Sequence, residues 1–372
     1  MSTAAENVYA RIGARPVINA AGNTTVWGGS TPSPAVQRAM DEANASFVEM
    51  EELLKKSGDY IANRLGVDGA YVASGCYAAL ALSTAACMTG TDQELSDRLP
   101  DTTGMKNEVV LAKPQAYTYD RSYTVCGAKL VWAGDDDGAS LEAYEQSIGP
   151  DTAAVAYLVR AEPDAGVASL DDVVELAHSH GVPVIADAAA QIYPTDYFVR
   201  NAQAADLVCF GGKYMGGPQS SGFVCGRGDL IDAVTHHGFI SHKSVGRGLK
   251  LDRQEILGLI AAIDEWFTMD HEERFVGYGA RFSVIEDGLR GVSSVKSTDT
   301  VSTTSYWGVG LEVSLDTSEL GKSAPDVAAE LLAGSPRVRL DAVGDDTLRV
   351  CVHNLSEGDE HIVAEQMRSA LT

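Results

Sequence analysis

The sequence predicts an α/β protein: a large domain built on a mostly parallel sheet, followed by a smaller α+β domain. Three observations carry this expectation. Short, continuously apolar segments such as EVVLA (Glu108–Ala112), AAVAYLV (Ala153–Val159) and PVIADAAA (Pro183–Ala190) recur through the first two-thirds of the chain, as strands buried on both faces do. Helical patterns alternate with them. After about residue 250 the alternation gives way to a long helical stretch and then a few strands. A chain of 372 residues has room for both units. The expected division is an N-terminal segment, 1–45, packing with the small domain, a large domain over 46–250 and a small domain over 251–372.

Taken in order, Arg15–Pro34 is loop-rich, and PAVQRAMDEANASFVEMEELLKKSGDYIANRLG continues as a helix with Pro34 near its start. Tyr71–Ala73 form a short strand, and the small-residue run after Gly75 is a buried helix. KLVWAG (Lys129–Gly134), DLVCF (Asp206–Phe210) and SGFVCG (Ser221–Gly226) complete the strands of the large domain. SLDDVVELAHSHG (Ser169–Gly181) is a helix with Ser169 as its N-cap and Gly181 beyond its end. DRQEILGLIAAIDEWFTMDHEERFVGYGARFSVIEDGL continues as one long or kinked helix, followed by strands near YWGVGLEVSL and TLRVCVHN and a final helix, GDEHIVAEQMRSAL. The DDDG of Asp135–Gly138 is a solvated turn.

Composition narrows the function. A net charge of −24 with no Lys/Arg cluster argues against nucleic acid as a partner. The longest apolar stretch, GCYAALALSTAACMTG, is interrupted by Ser and Thr and does not suit a membrane span. The N-terminus lacks an apolar signal core, and the six cysteines are scattered without metal or redox spacing, so buried free thiols and a cytoplasmic setting are expected.

Three features fall at strand ends, where open α/β sheets bind ligands. SGCYAA (Ser74–Ala79) is a turn opening a helix, whose free N–H groups suit a phosphate. Asp187 ends an apolar strand, where a carboxylate is costly without a cationic partner. Lys213 stands among glycines in FGGKYMGGP. Each has a plainer reading: a helix cap, a structural ion pair, a surface turn. Their conjunction fits pyridoxal 5′-phosphate (PLP), which needs a phosphate anchor, a carboxylate for its pyridine nitrogen and a lysine amine for a Schiff base.

Blocks across most of the chain, among them PVINAAGNTTVWGGSTPSPAV, AYVASGCYAALALSTAAC, YDRSYTVCGAKLVWAG, HGVPVIADAAAQIYP, GGKYMGGPQSSGFVCGR and GRGLKLDRQEILGLIAAI, carry a resemblance. The sequence resembles the fold-type I PLP-dependent enzymes, aminotransferase-like in fold, of the branch containing selenocysteine synthase and D-glucosaminate-6-phosphate ammonia-lyase. The resemblance implies that Lys213 forms the Schiff base and Asp187 meets the pyridinium. It likewise implies that Ser74, Gly75 and Cys76 cradle the phosphate and that Gln191 reaches the ring's phenolic oxygen. Relatives carry a Ser three residues before the lysine; Phe210 stands there. Where they show a ring-stacking histidine, this chain offers Gln115, Tyr117 and Tyr119. Arg247, Arg349 and Tyr119 are candidates for substrate contacts, while His236 and His237 read as surface histidines.

The resulting expectation is an enzyme acting on a small amino acid or amino-sugar acid through a Cα carbanion. An α,β-elimination of the ammonia-lyase type is favoured over racemisation, epimerisation or transamination, which the same carbanion serves. The family also implies at least a homodimer with PLP as cofactor and no metal. A different class stays open: a catalytically silent protein of this fold acting as a binding or regulatory module. Lys213 disfavours it, since a silent relative has little reason to keep the amine.

Overall fold

A computed structural model describes residues 8–241, 243–303 and 308–372. The chain divides into two compact units, Pro32–Thr268 and a second formed by Met269–Thr372 with the residues up to Thr31. The helix Arg253–Thr268 therefore lies in the larger unit, where Arg253 donates from Nε to the carbonyls of Ala43 and Ser46 at 3.0 and 2.8 Å. The expected division at 45 and 250 grouped that helix with the residues after it; here it packs on the helix Pro34–Asn44.

Seven strands form the sheet of the larger unit, in the spatial order 69–73, 222–226, 207–211, 184–187, 152–158, 108–112, 129–133. All run parallel except Gly222–Gly226, which is antiparallel to both its neighbours. The central strands are buried along their length, which is why they read as unbroken apolar runs. One consequence decides where chemistry happens: the C-terminal ends of 69–73, 184–187 and 207–211 share one edge of the sheet. Ala73 and Gly211 both pair with Gly222, and Asp187 pairs with Cys209.

Two expected long helices are interrupted. The first is divided into Pro34–Asn44 and Met50–Leu65, with Phe47 93% exposed between them beneath the Arg253 guanidinium. The second breaks between Thr268 and His271, where the Asp270 carboxylate accepts from the amides of Glu272 and Glu273 and starts a new helix, His271–Leu289. The Ser169 cap is as read: its hydroxyl accepts from the Asp172 amide at 3.2 Å, and Gly181 follows at φ +67°.

The smaller unit holds a four-stranded antiparallel sheet, in the order 341–343, 347–350, 308–315, 295–303. A two-residue parallel pairing joins Ile18–Asn19 to Val338–Arg339. Its core gathers Leu311, Val313, Leu348 and Val350 from the sheet with Phe282, Ile285, Val363 and Met367 from two helices. Tyr306 and Trp307, expected at the head of a strand, lie outside the described residues, as do Met1–Asn7. Among the described residues no helix is long and apolar enough to cross a membrane.

Polar groups pin the edge of the large sheet opposite the three strand ends. Asp206, 4% exposed at its side chain, accepts from His178 Nε2 at 2.8 Å, Arg227 Nη1 at 2.7 Å and the Val184 amide at 2.8 Å, tying three strands together. His237 corrects the sequence expectation: it is fully buried, with Nε2 2.7 Å from the Thr89 hydroxyl. A helix end reads as surface in sequence, but the neighbouring helix Cys76–Thr89 covers this one. Burial then pushes the imidazole down to about 4, with the neighbouring His236 adding to the shift.

Replacing Asp206 by Asn should cost about 2–4 kcal/mol in a denaturant titration, because Arg227 loses its buried partner. The second prediction concerns pH. His237 binds its proton less readily folded than unfolded, so its contribution to stability is present above the unfolded value of about 6.5 and is lost as pH falls toward 4. Thermal unfolding should show a decline in stability across that window that is shallower in His237→Gln.

Candidate active site

The helix Cys76–Thr89 begins directly behind the strand Gly69–Ala73, with Gly75 between them at φ +85° and ψ 168°. That backbone conformation is open only to glycine, so the turn depends on this residue. No side chain caps the helix and no acidic residue stands in its first turn. Its leading N–H groups therefore face outward with the positive end of the helix dipole behind them. The Ser74 hydroxyl donates to the Leu249 carbonyl at 3.2 Å, which ties the turn to the segment carrying Arg247. Arg247 itself is exposed and reaches the Phe239 carbonyl at 3.3 Å.

Asp187 ends its strand 4% exposed. Oδ1 accepts from the Ala189 amide at 3.1 Å and from the Cys76 thiol at 3.4 Å, and Oδ2 accepts from the Tyr117 hydroxyl at 2.5 Å. Burial pushes the carboxyl above its ordinary value, while Tyr117, Ala189 and Cys76 act in the opposite direction. Burial also raises the Cys76 thiol and the Tyr117 phenol, with Asp187 adding to both, so each remains a donor.

Lys213 projects from a single 3-10 turn, Gly212–Met215, at the end of the strand Leu207–Gly211. It is half-buried, and desolvation lowers its pKa against a smaller opposing influence from Cys76. Nζ stands 5.2 Å from the centre of the Tyr214 ring. The glycines around it have a packing role. A β-carbon on Gly212 would come within 2.2 Å of Ser221 Oγ and 2.7 Å of a Leu259 methyl, so the turn can lie flat only without a side chain there.

The other sequence candidates occupy varied settings. Gln191 is buried and its Oε1 accepts from the Tyr197 hydroxyl at 3.1 Å, which leaves its amide nitrogen as a donor. Tyr119 is 58% exposed and meets the Tyr117 ring edge-on at 6.0 Å; Tyr117 is the tyrosine that reaches Asp187. Gln115 is clamped to the backbone of Leu158 through both ends of its amide, each bond at 3.0 Å. Phe210 lies fully buried against Phe198 and Phe223, at 4.9 and 5.2 Å between ring centres, so it belongs to the core. Arg349, in the smaller unit, already donates from Nε and Nη2 to Glu312 Oε1 at 3.0 and 2.5 Å; a substrate carboxylate would have to displace that partner. His236 meets the Ser96 hydroxyl at 3.2 Å, within the scaffold.

Sequence reasoning missed Tyr123, which is fully buried beside the Tyr117 hydroxyl, and the link from Cys76 to Asp187. Neither leaves a periodic or compositional signal. The residues present fit PLP: uncapped helix amides for the phosphate, a buried carboxylate for the ring nitrogen and a desolvated amine for the aldehyde.

Comparison with known proteins agrees with this chemistry. Residues 118–245 match the family model described as aminotransferase class-V. The chain is 32% identical over 343 residues, 89% of its length and 83% of the relative's, to a 5′-C-glycyluridine monooxygenase-decarboxylase of a Streptomyces species. It is 27% identical over 371 residues, 97% of each protein, to a D-glucosaminate-6-phosphate ammonia lyase of Salmonella typhimurium. A solved structure of a D-glucosaminate-6-phosphate ammonia-lyase superposes with a TM-score of 0.86 at 26% identity, covering 100% of this chain and 99% of that one. On these similarities the chain belongs to the fold-type I PLP-dependent enzymes, in the branch that holds selenocysteine synthase and D-glucosaminate-6-phosphate ammonia-lyase.

Proposed function

We propose that this enzyme is a PLP-dependent lyase that removes ammonia from an amino-sugar acid or a small hydroxylated amino acid by α,β-elimination. The observation that carries the reading is the desolvated Lys213 amine at the same sheet edge as the buried Asp187 carboxylate. The end-to-end similarity to the Salmonella lyase supports elimination over racemisation or transamination.

PLP, when bound, stabilises negative charge developing at the substrate Cα. The protein's own groups do the rest. The amides opening the helix at Cys76 would hold the phosphate dianion, on a turn that Ser74 fixes through its bond to the Leu249 carbonyl. Asp187 holds a proton at the ring nitrogen, and the donors around it keep its carboxylate in one orientation. Lys213 anchors the aldehyde, and its lowered pKa gives the released amine a larger neutral fraction, suited to taking the Cα proton. In this reading Gln191, whose amide nitrogen is left as a donor, would reach the phenolic oxygen, and Arg247 would meet an anionic substrate group. The same reading places the enzyme in the cytoplasm as at least a homodimer.

One finding favours a second reading. The Streptomyces relative is named a monooxygenase-decarboxylase, and a Cα carbanion that meets dioxygen rather than losing a β-substituent would lead to that kind of outcome. The two readings separate in one experiment. The holoenzyme, given a panel of L- and D-amino acids and amino-sugar acids with and without phosphate groups, should release ammonia and a 2-keto acid in equal amounts without consuming oxygen. Oxygen uptake with release of carbon dioxide would select the second reading. In either case Lys213→Ala should lower turnover by about 10³-fold or more. The rate at which wild-type apoenzyme attaches cofactor should also climb with pH and reach half its maximum below 10.5, the ordinary lysine value, because attachment needs the neutral amine.

A further inference from the structure

The carboxylate of Asp187 offers about four acceptor positions, two on each oxygen. Oδ1 is occupied twice, by the Ala189 amide and the Cys76 thiol, and Oδ2 once, by Tyr117. One position remains, on Oδ2, the oxygen bonded to Tyr117. Behind Tyr117 the Tyr123 hydroxyl is fully buried and makes no hydrogen bond at bonding distance among the described residues; its neighbour is the Tyr117 hydroxyl.

We infer that Tyr117 is a positioning residue that keeps the proton on the cofactor's ring nitrogen by weakening the basicity of Asp187. The inference rests on PLP being the cofactor. A carboxylate that accepts a short hydrogen bond from a phenol spreads its charge into that bond and holds a second proton less tightly. Burial by itself drives Asp187 toward protonation, and Tyr117 is the foremost of the three donors that oppose it, ahead of the Ala189 amide and the Cys76 thiol. Without Tyr117, the proton shared between Asp187 and the ring nitrogen would move toward Asp187, and the ring would lose the positive charge that draws electrons from Cα. Cys76 acts on the other oxygen in the same direction, more weakly, because a thiol at 3.4 Å is the poorer donor. The atoms balance: one proton changes its resting place between two heavy atoms, and nothing is oxidised or reduced.

The test uses PLP labelled with nitrogen-15 at its ring nitrogen, loaded onto full-length wild type, Tyr117→Phe and Cys76→Ala. Nitrogen NMR distinguishes pyridinium from neutral pyridine whether or not the enzyme turns over. Wild type should give the pyridinium signal. Tyr117→Phe should move it toward the neutral position and weaken cofactor binding roughly tenfold. Cys76→Ala should give a smaller displacement in the same direction, and it carries the test should the phenylalanine variant not fold. A variant that binds cofactor with an unmoved signal would overturn the role of Tyr117. Loss of binding in a variant whose circular dichroism matches wild type would overturn it too, assigning Tyr117 to affinity alone. A wild type that takes up no PLP would instead remove the cofactor reading on which this rests, and this inference with it.

Discussion

A carboxylate taken out of water costs several kcal/mol unless donors surround it, and the site is organised around that constraint at Asp187. The strand Val184–Asp187 is buried throughout, so its last side chain emerges into the protein rather than into solvent. Donors reach it from three separate parts of the chain: the first residue of the Cys76–Thr89 helix, the loop carrying Tyr117, and its own following turn at Ala189. None of these elements is satisfied by the sheet alone. Their convergence fixes the carboxylate's direction, and the direction of a fixed charge is what a cationic ring can use.

The rest of the larger unit serves the same edge. Parallel strands end together, so the phosphate turn, Asp187 and Lys213 share one edge although about 140 residues separate them in sequence. The antiparallel strand Gly222–Gly226 runs between 69–73 and 207–211, and its Gly222 packs so close that a β-carbon there would come within 2.7 Å of the Gly75 and Phe210 backbones. At the opposite edge, Asp206 joins the beginnings of the strands Val184–Asp187 and Leu207–Gly211 to the end of Gly222–Gly226, through the Val184 amide and Arg227, with His178 of a neighbouring helix as a third partner. Each of the two buried carboxylates accepts three hydrogen bonds, but Asp206 has the Arg227 cation among its partners, whereas the three donors to Asp187 are a backbone amide, a thiol and a phenol.

Much of this was legible in the sequence because the responsible features are local. Apolar runs revealed the strands, and glycines flanked Lys213 because Gly212 has no room for a β-carbon. Asp187 stood out as a charge at the end of an apolar run. The features that stayed hidden depend on partners far away in the chain. Tyr117 meets Asp187 across a separation of 70 positions, with no spacing rule to announce it. His237 reads as exposed because the helix that buries it lies elsewhere in sequence. The breaks near Phe47 and Asp270 were masked because apolar residues continue at helical spacing on both sides. Arg349 had looked available because its cross-strand partner Glu312 becomes evident only once the register is known.

The cofactor's point of covalent attachment underlies every role assigned to the site. Reduction of the PLP-loaded protein with borohydride, followed by proteolysis and mass spectrometry, should place a single pyridoxyl group on the peptide containing Lys213, with no other lysine modified. A pyridoxyl group on another lysine, or a protein that remains unmodified after loading, would contradict that assignment.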